Sequence, residues 1–159
     1  MRVLLRLVPL LFLFACSQEP ATGPAEVRWD REVCAHCSMS IGDARFAAQV
    51  RGGPGGKVYK FDDIGCAMVW LDDKPWKDDA GTEIWVADYE NSGWLDARAA
   101  KYQLVLHSPM GYGLGAVKAA EGDVFDFAGA VAHIREVEKR DHIHGGEHQH
   151  DAMQAGGKT

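Results

Sequence analysis

The chain has 159 residues, of which 17 are Lys or Arg and 23 are Asp or Glu, for a net charge of −6 at pH 7. Its basic residues are scattered along an acidic chain and form no stripe, so we expect no nucleic-acid partner. Once the two atypical ends are set aside, the length fits one domain that can bury a core without staples.

The N-terminal segment, MRVLLRLVPLLFLFAC, has the pattern of a secretory signal. Two arginines precede an apolar run that is too short for a membrane-spanning helix. The sequence LFAC resembles a bacterial lipobox, which implies cleavage before Cys16 and acyl chains on that cysteine. We therefore predict a lipoprotein signal peptide at residues 1–15. The alternative is an ordinary secreted protein whose signal includes Cys16.

After Cys16, the stretch SQEPATGPAEV is rich in Pro, Ala, Gly and polar residues, and predicts a flexible tether over residues 16–27. A lipid on Cys16 would hold the folded part at a membrane, facing the periplasm. Ser17 stands where, by resemblance to known lipoproteins, an aspartate would favour the inner membrane. We therefore expect the outer membrane rather than the inner one.

The middle of the chain alternates strand and helix signals. Two strand-like runs flank GGPGG, and Asp62 or Asp63 is placed to cap a short, largely apolar helix. In the second half, the glycine-rich turn SPMGYGLG separates a strand from further helix signals. The predicted elements are strands at 45–50 and 57–61, a helix at 64–71, strands at 83–88 and 102–107, a helix at 115–122, a strand at 124–127 and a helix at 128–140.

The two halves of this region share a weak internal repeat. In each half a methionine, Met39 or Met110, opens a unit in which a V-x-x-F or V-F-x-F strand leads into a helix rich in small residues. We therefore divide a core at residues 28–140 into related half-units of about 28–90 and 91–140.

The C-terminal segment, residues 141–159, contains four of the seven histidines among glycines and acids. It has no apolar periodicity, so we predict disorder. The histidines could form an auxiliary, unselective site for Cu(II), Ni(II) or Zn(II), or belong only to a solvated tail. They are His142, His144, His148 and His150.

The clearest chemical signal is CAHCSM, which places Cys34, Cys37 and Met39 together. Thiolate and thioether ligands favour Cu(I), whereas zinc sites use Cys, His and carboxylate rather than thioether. Met110 also lies in a turn-like segment, where a side chain is better placed to act as a ligand than to fill a core. This combination predicts a Cu(I) site.

Other interpretations of these residues stay open. If the N-terminal cysteine is lipidated, three cysteines remain and cannot all pair. Cys34 and Cys37 could form a structural disulfide or a redox pair, although a redox C-x-x-C normally opens a helix after a strand. Cys66 lies in the predicted apolar helix, where core packing and ligation are equally favoured. His36 and His107 are more typical of bystanders than of ligands. No catalytic triad, nucleophile elbow or phosphate loop indicates an enzyme or a small-molecule substrate.

The order of these motifs resembles the NosL family, the lipoprotein accessory of nitrous oxide reductase. The resemblance rests on the lipobox, C-x-x-C-x-M at 34–39, FDDIGC at 61–66, WVAD at 85–88, and a Met-Gly turn and small-residue helix before VFDF. It covers about residues 30–135. The resemblance implies an α+β fold of two related ββα-type half-units, packed as one compact core with flexible ends.

The resemblance also implies a function, that of a periplasm-facing copper chaperone. Cu(I) ligation carries over to Cys37, Met39 and Met110, with Cys34 next, whereas Cys66 is not carried over and stays a weaker candidate. The implied partner is a copper-receiving protein or membrane transporter of the nitrous oxide reductase maturation system. The competing class is a thiol–disulfide lipoprotein that uses Cys34 and Cys37 to keep a partner's copper-site cysteines reduced. A third is a scaffold with a structural disulfide.

Overall fold

The computed structural model describes residues 21–119 and 122–155, with side chains up to Asp141. The predicted signal peptide at 1–15 and the predicted lipidation site, Cys16, therefore lie outside the described residues. Strands and helices of the described part are β1 (Ala48–Gly52), β2 (Lys57–Phe61), α1 (Ile64–Asp72), β3 (Glu83–Ala87), β4 (Trp94–Asp96), β5 (Lys101–Leu104), β6 (Leu114–Val117) and α2 (Phe127–Ala155).

A four-stranded antiparallel sheet, in the order β2-β1-β3-β4, forms the larger part of the fold. The hairpin of β1 and β2 turns at GGPGG as predicted, and Gly53, Gly55 and Gly56 adopt positive φ angles there. All five residues of β1 are buried. Burial on both faces is possible because α1 covers one face, and the chain that precedes β1 covers the other.

Helix α1 begins where Asp63 caps it. The Asp63 Oδ1 accepts a hydrogen bond from the Gly65 amide at 2.9 Å, which satisfies one of the unpaired amides of the first turn. Gly65 also allows the ring of Tyr112 to lie directly on the helix backbone. Tyr112 in turn donates a hydrogen bond to Glu138 of α2, so this contact joins the two helices through the β5–β6 loop.

The α+β expectation is confirmed, with two ββα units. The first is β1, β2 and α1, and the second is the β5–β6 hairpin followed by α2. The short hairpin of β3 and β4 lies between them and completes the first sheet. The predicted boundary between half-units, at residues 90 and 91, falls in the turn of that hairpin.

The helix predicted at residues 115–122 is wrong over its first residues, because Leu114–Val117 form β6 and pair with β5. All four residues of β6 are buried, so pairing and burial override the helix signal of the alanines. The strand predicted at 124–127 reduces to a single bridge between Phe125 and Tyr102, after which α2 begins at Phe127.

Part of the predicted tether lies against the sheet instead of extending from it. The Ala25 amide donates to Oε1 of Gln49 at 2.8 Å, and Nε2 of Gln49 donates to the Ala25 carbonyl at 2.9 Å. Two residues on, Arg51 donates to the Gly23 carbonyl. Ala25 and Val27 are buried as a result, so the chain is fixed from about Gly23 onward.

The C-terminal helix is longer than the sequence predicts. Helix α2 runs from Phe127 to Ala155, and so continues through most of the segment 141–159 that we expect to be disordered. Extending a helix that is already nucleated by packing costs far less than starting one, and the segment contains no proline. Within the described residues, neither helix combines the length and apolar character needed to cross a bilayer.

The contact between Gly65 and Tyr112 gives a stability prediction. Gly65→Ala places a methyl group where the Tyr112 ring lies, and we expect it to lower the free energy of unfolding by about 1–3 kcal/mol in urea titrations. Gly81→Ala is the control, because no atom lies within 4 Å of a Cβ built there. It should change stability by less than about 1 kcal/mol. Equal effects of the two substitutions would contradict the close approach.

Candidate metal centre

The CAHCSM loop is closed by backbone hydrogen bonds. A bridge between Val33 and Ser40 closes its base, and the Cys34 amide donates to the Met39 carbonyl at 2.8 Å. Inside the loop, the Ser38 amide donates to the Cys34 carbonyl at 3.0 Å. Ser38 has a φ of 62°, in the left-handed region that this tight turn requires. The loop therefore has a defined shape before any metal binds.

The loop is held against the junction between β2 and α1. The Ala35 amide donates to the Lys60 carbonyl at 2.9 Å, and the Gly42 amide donates to Oδ1 of Asp62 at 3.3 Å. This docking places Cys34 beside the start of α1. Cys66, on the first turn of that helix, is fully buried.

Three cysteine sulfurs meet at this junction. The Sγ atoms of Cys34, Cys37 and Cys66 all lie within 4.8 Å of one another, and all three cysteines are free. Cys34 and Cys66 are 1% and 0% exposed, whereas Cys37 is half-buried. The cluster is therefore open only on the side of Cys37.

The surroundings of the three thiols shift their pKa values in different directions. The S–H of Cys66 donates to Cys34 and, with the amides of Cys37, Asp62 and His36, lowers the Cys34 pKa to about 4 against the opposing effect of burial. The same hydrogen bond, together with burial, raises the pKa of Cys66. Burial raises the pKa of Cys37. At neutral pH the metal-free cluster thus holds one thiolate and two thiols.

The two predicted methionine ligands belong to the segments around this cluster. Met39 ends the cysteine loop and is 52% exposed. Met110 is half-buried against the core, and its amide faces the carboxylate of Asp63, the residue that caps the helix of Cys66. Their role as ligands stays a prediction.

The histidines considered as ligands fall into two groups, on described loops and in the C-terminal segment. His36 and His107 are exposed on loops and do not belong to the three-cysteine cluster. The side chains of His142, His144, His148 and His150 lie outside the described residues. No Cys, His, Asp or Glu of the described side chains joins the three cysteines as a fourth member of the cluster.

The sequence predicts Cys66 only as a weaker candidate ligand, yet its Sγ lies in the cysteine cluster. Its place in an apolar run indicates packing as much as ligation. A signal was nevertheless present in FDDIGC, because a cap at Asp63 puts Cys66 on the first helical turn, three residues from the cap. What the sequence lacks is the docking of the loop through Lys60, which brings Cys34 to it.

Comparison with known proteins bears on the fold. No protein-family model and no curated protein matches the chain. Among solved structures, the fold is similar to the crystal structure of the copper chaperone NosL from Shewanella denitrificans, with a TM-score of 0.54 and 18% sequence identity over 69% of this chain and 95% of that chain. At this identity the likeness establishes a shared α+β fold. In this chain, three clustered cysteines form a candidate metal site on that fold.

The different pKa values of the three thiols give a spectroscopic prediction. In the reduced, metal-free protein, thiolate absorbance should rise by one equivalent as the pH passes about 4, since the folded pKa of Cys34 is depressed to that value. Cys66→Ala removes the donor that stabilises the thiolate, and should move this step toward the ordinary cysteine range. His107→Ala is the control and should leave it unchanged. A first step near pH 8 in the unsubstituted protein would contradict the assignment.

Proposed function

We propose that the protein is a membrane-anchored Cu(I) metallochaperone, which delivers copper for the maturation of a periplasmic copper enzyme. The observation that carries the proposal is the meeting of three cysteine sulfurs within 4.8 Å, from a preshaped loop and a capped helix. Sulfur ligands favour Cu(I) over harder ions. Copper is here the cargo of the protein, not a resident cofactor of catalysis.

The ligand set favours copper over zinc. Structural zinc sites are closed by four ligands drawn from Cys, His and carboxylate. The described residues gather three such ligands, all of them cysteines. Cu(I) is stable with few soft ligands, and thioethers at Met39 and Met110 extend the set with groups that zinc does not favour. The proposed set of candidate ligands consists of Cys37, Met39, Met110, Cys34 and Cys66.

The burial of the ligands indicates how the ion is transferred. Cys34 and Cys66 hold the ion from the protein interior, because both are buried. Cys37 and Met39 lie on the accessible side. A partner that offers its own soft ligands would approach from this side and displace Cys37 or Met39 first. Each exchange replaces one Cu–S bond with another, so no free ion is released.

The anchor and the recipient complete the proposal. Lipidation of Cys16, inferred from the lipobox, would hold the chaperone at the periplasmic face of a membrane, more consistent with the outer one because Ser17 follows. The proposed recipient is a copper-receiving protein or membrane transporter in the maturation of nitrous oxide reductase. The motif resemblance supports this recipient, and the structural neighbour is itself described as a copper chaperone.

A thiol–disulfide function is the second candidate, favoured by the low pKa of Cys34. A redox cysteine of low pKa attacks a partner disulfide, so it has to be accessible. Cys34 is 1% exposed, and its thiolate is already engaged by Cys66. The burial of the activated sulfur therefore favours metal binding over disulfide exchange.

The proposal is tested by competitive Cu(I) titration against a chromophoric chelator, under anaerobic conditions. The protein is residues 16–159 carrying Cys16→Ser, fully reduced. We expect one tight equivalent, weakened about tenfold or more by Cys37→Ser and by Met39→Ala, since each removes a soft ligand. Removal of residues 141–159 should leave the affinity almost unchanged.

Met68→Leu is the matched control for the methionine variant, because Met68 is buried in α1 with the hydrophobic core. It should bind Cu(I) as tightly as the unsubstituted protein. If the tail deletion abolishes tight binding and the core variants do not, the cysteine cluster is not the copper site. Wild-type affinity in Met39→Ala, together with a readily reduced disulfide between Cys34 and Cys37, would favour the redox function.

A further inference from the structure

A groove of about 1030 Å³ runs along the exposed side of β2 and ends beside the cysteine loop. Val33 and Ala35, which flank Cys34, line the end nearest the loop. On its other sides the groove is lined by basic side chains and the glycines of the β1–β2 turn. This surface plays no part in the sulfur cluster, although it borders the loop that carries two of the cysteines.

The groove concentrates positive charge on an acidic protein. Five basic side chains line it, against one carboxylate, while the whole chain carries a net charge of −6. Its charged residues are Arg28, Arg31, Arg51, Lys57, Lys60 and Glu32.

Part of this charge is available to a ligand. The carboxylate of Glu32 pairs with Lys60 at 2.9 Å and with Arg28 at 3.4 Å. Arg28 nevertheless remains exposed, and Arg31 is exposed with no ion-pair partner among the described side chains. An anion in the groove would therefore meet at least these two guanidinium groups, which form bidentate hydrogen bonds to phosphate oxygens.

The chain leading to the predicted lipid starts from this same groove. Ala21 lines the groove, and the Gly23 carbonyl accepts two hydrogen bonds from Arg51, at 3.2 and 3.0 Å. Arg51 is itself buried, so it holds the chain at Gly23 in a fixed position. Cys16 lies five residues before Ala21 and cannot be more than about 18 Å from it, even when the chain is fully extended.

We propose that this groove binds the anionic phospholipid headgroups of the membrane that carries the lipid on Cys16. The proposal rests on the anchoring proposed above. A tether this short keeps the groove within reach of the bilayer at all times, so headgroups are present at high effective concentration. Basic side chains near an anionic surface each add to binding. An acidic protein would match the charge equally well, but nothing ties it to the groove.

Headgroup binding would orient the metal centre. The groove and the cysteine loop share Val33 and Ala35, so a groove seated on the membrane would hold this loop close to the bilayer surface. A membrane-embedded copper partner would then find the loop that carries Cys37 and Met39 near the membrane.

The test measures sedimentation of residues 16–159, carrying Cys16→Ser, with vesicles of phosphatidylcholine alone or mixed with phosphatidylglycerol. We expect binding to the mixed vesicles only, weakening as salt is raised. Arg28→Gln with Arg31→Gln should reduce it by about tenfold or more. Lys118→Gln with Arg140→Gln is the control, because it makes the same charge change at exposed residues outside the groove, and it should bind like the unsubstituted protein.

Three results would overturn the headgroup proposal. They are absence of binding to anionic vesicles, equal losses in the groove and control variants, and binding to polyglutamate without binding to vesicles, which would assign the groove to an acidic protein. Cu(I) titration of the same groove variants separates this proposal from the chaperone function, since neither arginine is a ligand. Labelling of Cys16 by a fatty acid in cells separately tests the anchor.

Discussion

The buried carboxylate of Asp63 joins the segments that carry the sulfur atoms. Its Oδ1 caps α1 through the Gly65 amide and so fixes the turn that holds Cys66. The Ser108 hydroxyl and the Met110 amide face the same carboxylate and favour its ionised form, while burial raises its pKa more strongly. Oδ2 makes no hydrogen bond of good geometry with the described residues, and a buried carboxylate so poorly paired is costly. Its contribution is therefore positional.

The residues just before Asp63 hold the cysteine loop in position. The Lys60 carbonyl receives the Ala35 amide, and the Asp62 amide helps to stabilise the thiolate of Cys34. A short stretch of chain thus sets the position of all three cysteines. Burial raises the pKa of Asp62, and the nearby thiolate of Cys34 raises it further, because like charges repel. A monovalent cation bound among these groups, as proposed, would relieve that repulsion and would let a further thiol release its proton.

The sequence predicts best what is encoded locally. The GGPGG turn, the aspartate cap and the C-x-x-C-x-M spacing indicate β2, α1 and the cysteine loop, because each depends on neighbouring residues. Cys66 is predicted only as a weaker candidate, since the two cysteines beside it come from a loop about thirty residues earlier, which docks through the amides of Ala35 and Gly42. β6 is mistaken for a helix because its alanine and valine gain their strand conformation from pairing with β5. The chain around Ala25 has the composition of a linker, yet the amide of Gln49 pairs with its backbone as a neighbouring strand would. Contacts of this kind join residues that are distant in the chain, so the local sequence does not predict them.

The proposed copper carrier has to bind the ion tightly and yet release it to a chosen partner, and the burial of the candidate ligands would address both needs. In this proposal, the buried sulfurs of Cys34 and Cys66 would exclude water and would hold the ion where harder ligands do not reach it. If every ligand were buried in this way, transfer would require the core to open, at a cost comparable to the stability of the domain. The loop avoids this because its hydrogen bonds fix the backbone of Cys34 and Met39 while Met39 stays exposed. Exchange would then begin at a preformed, accessible edge, so release would depend on whether a partner presents ligands there and not on unfolding of the carrier.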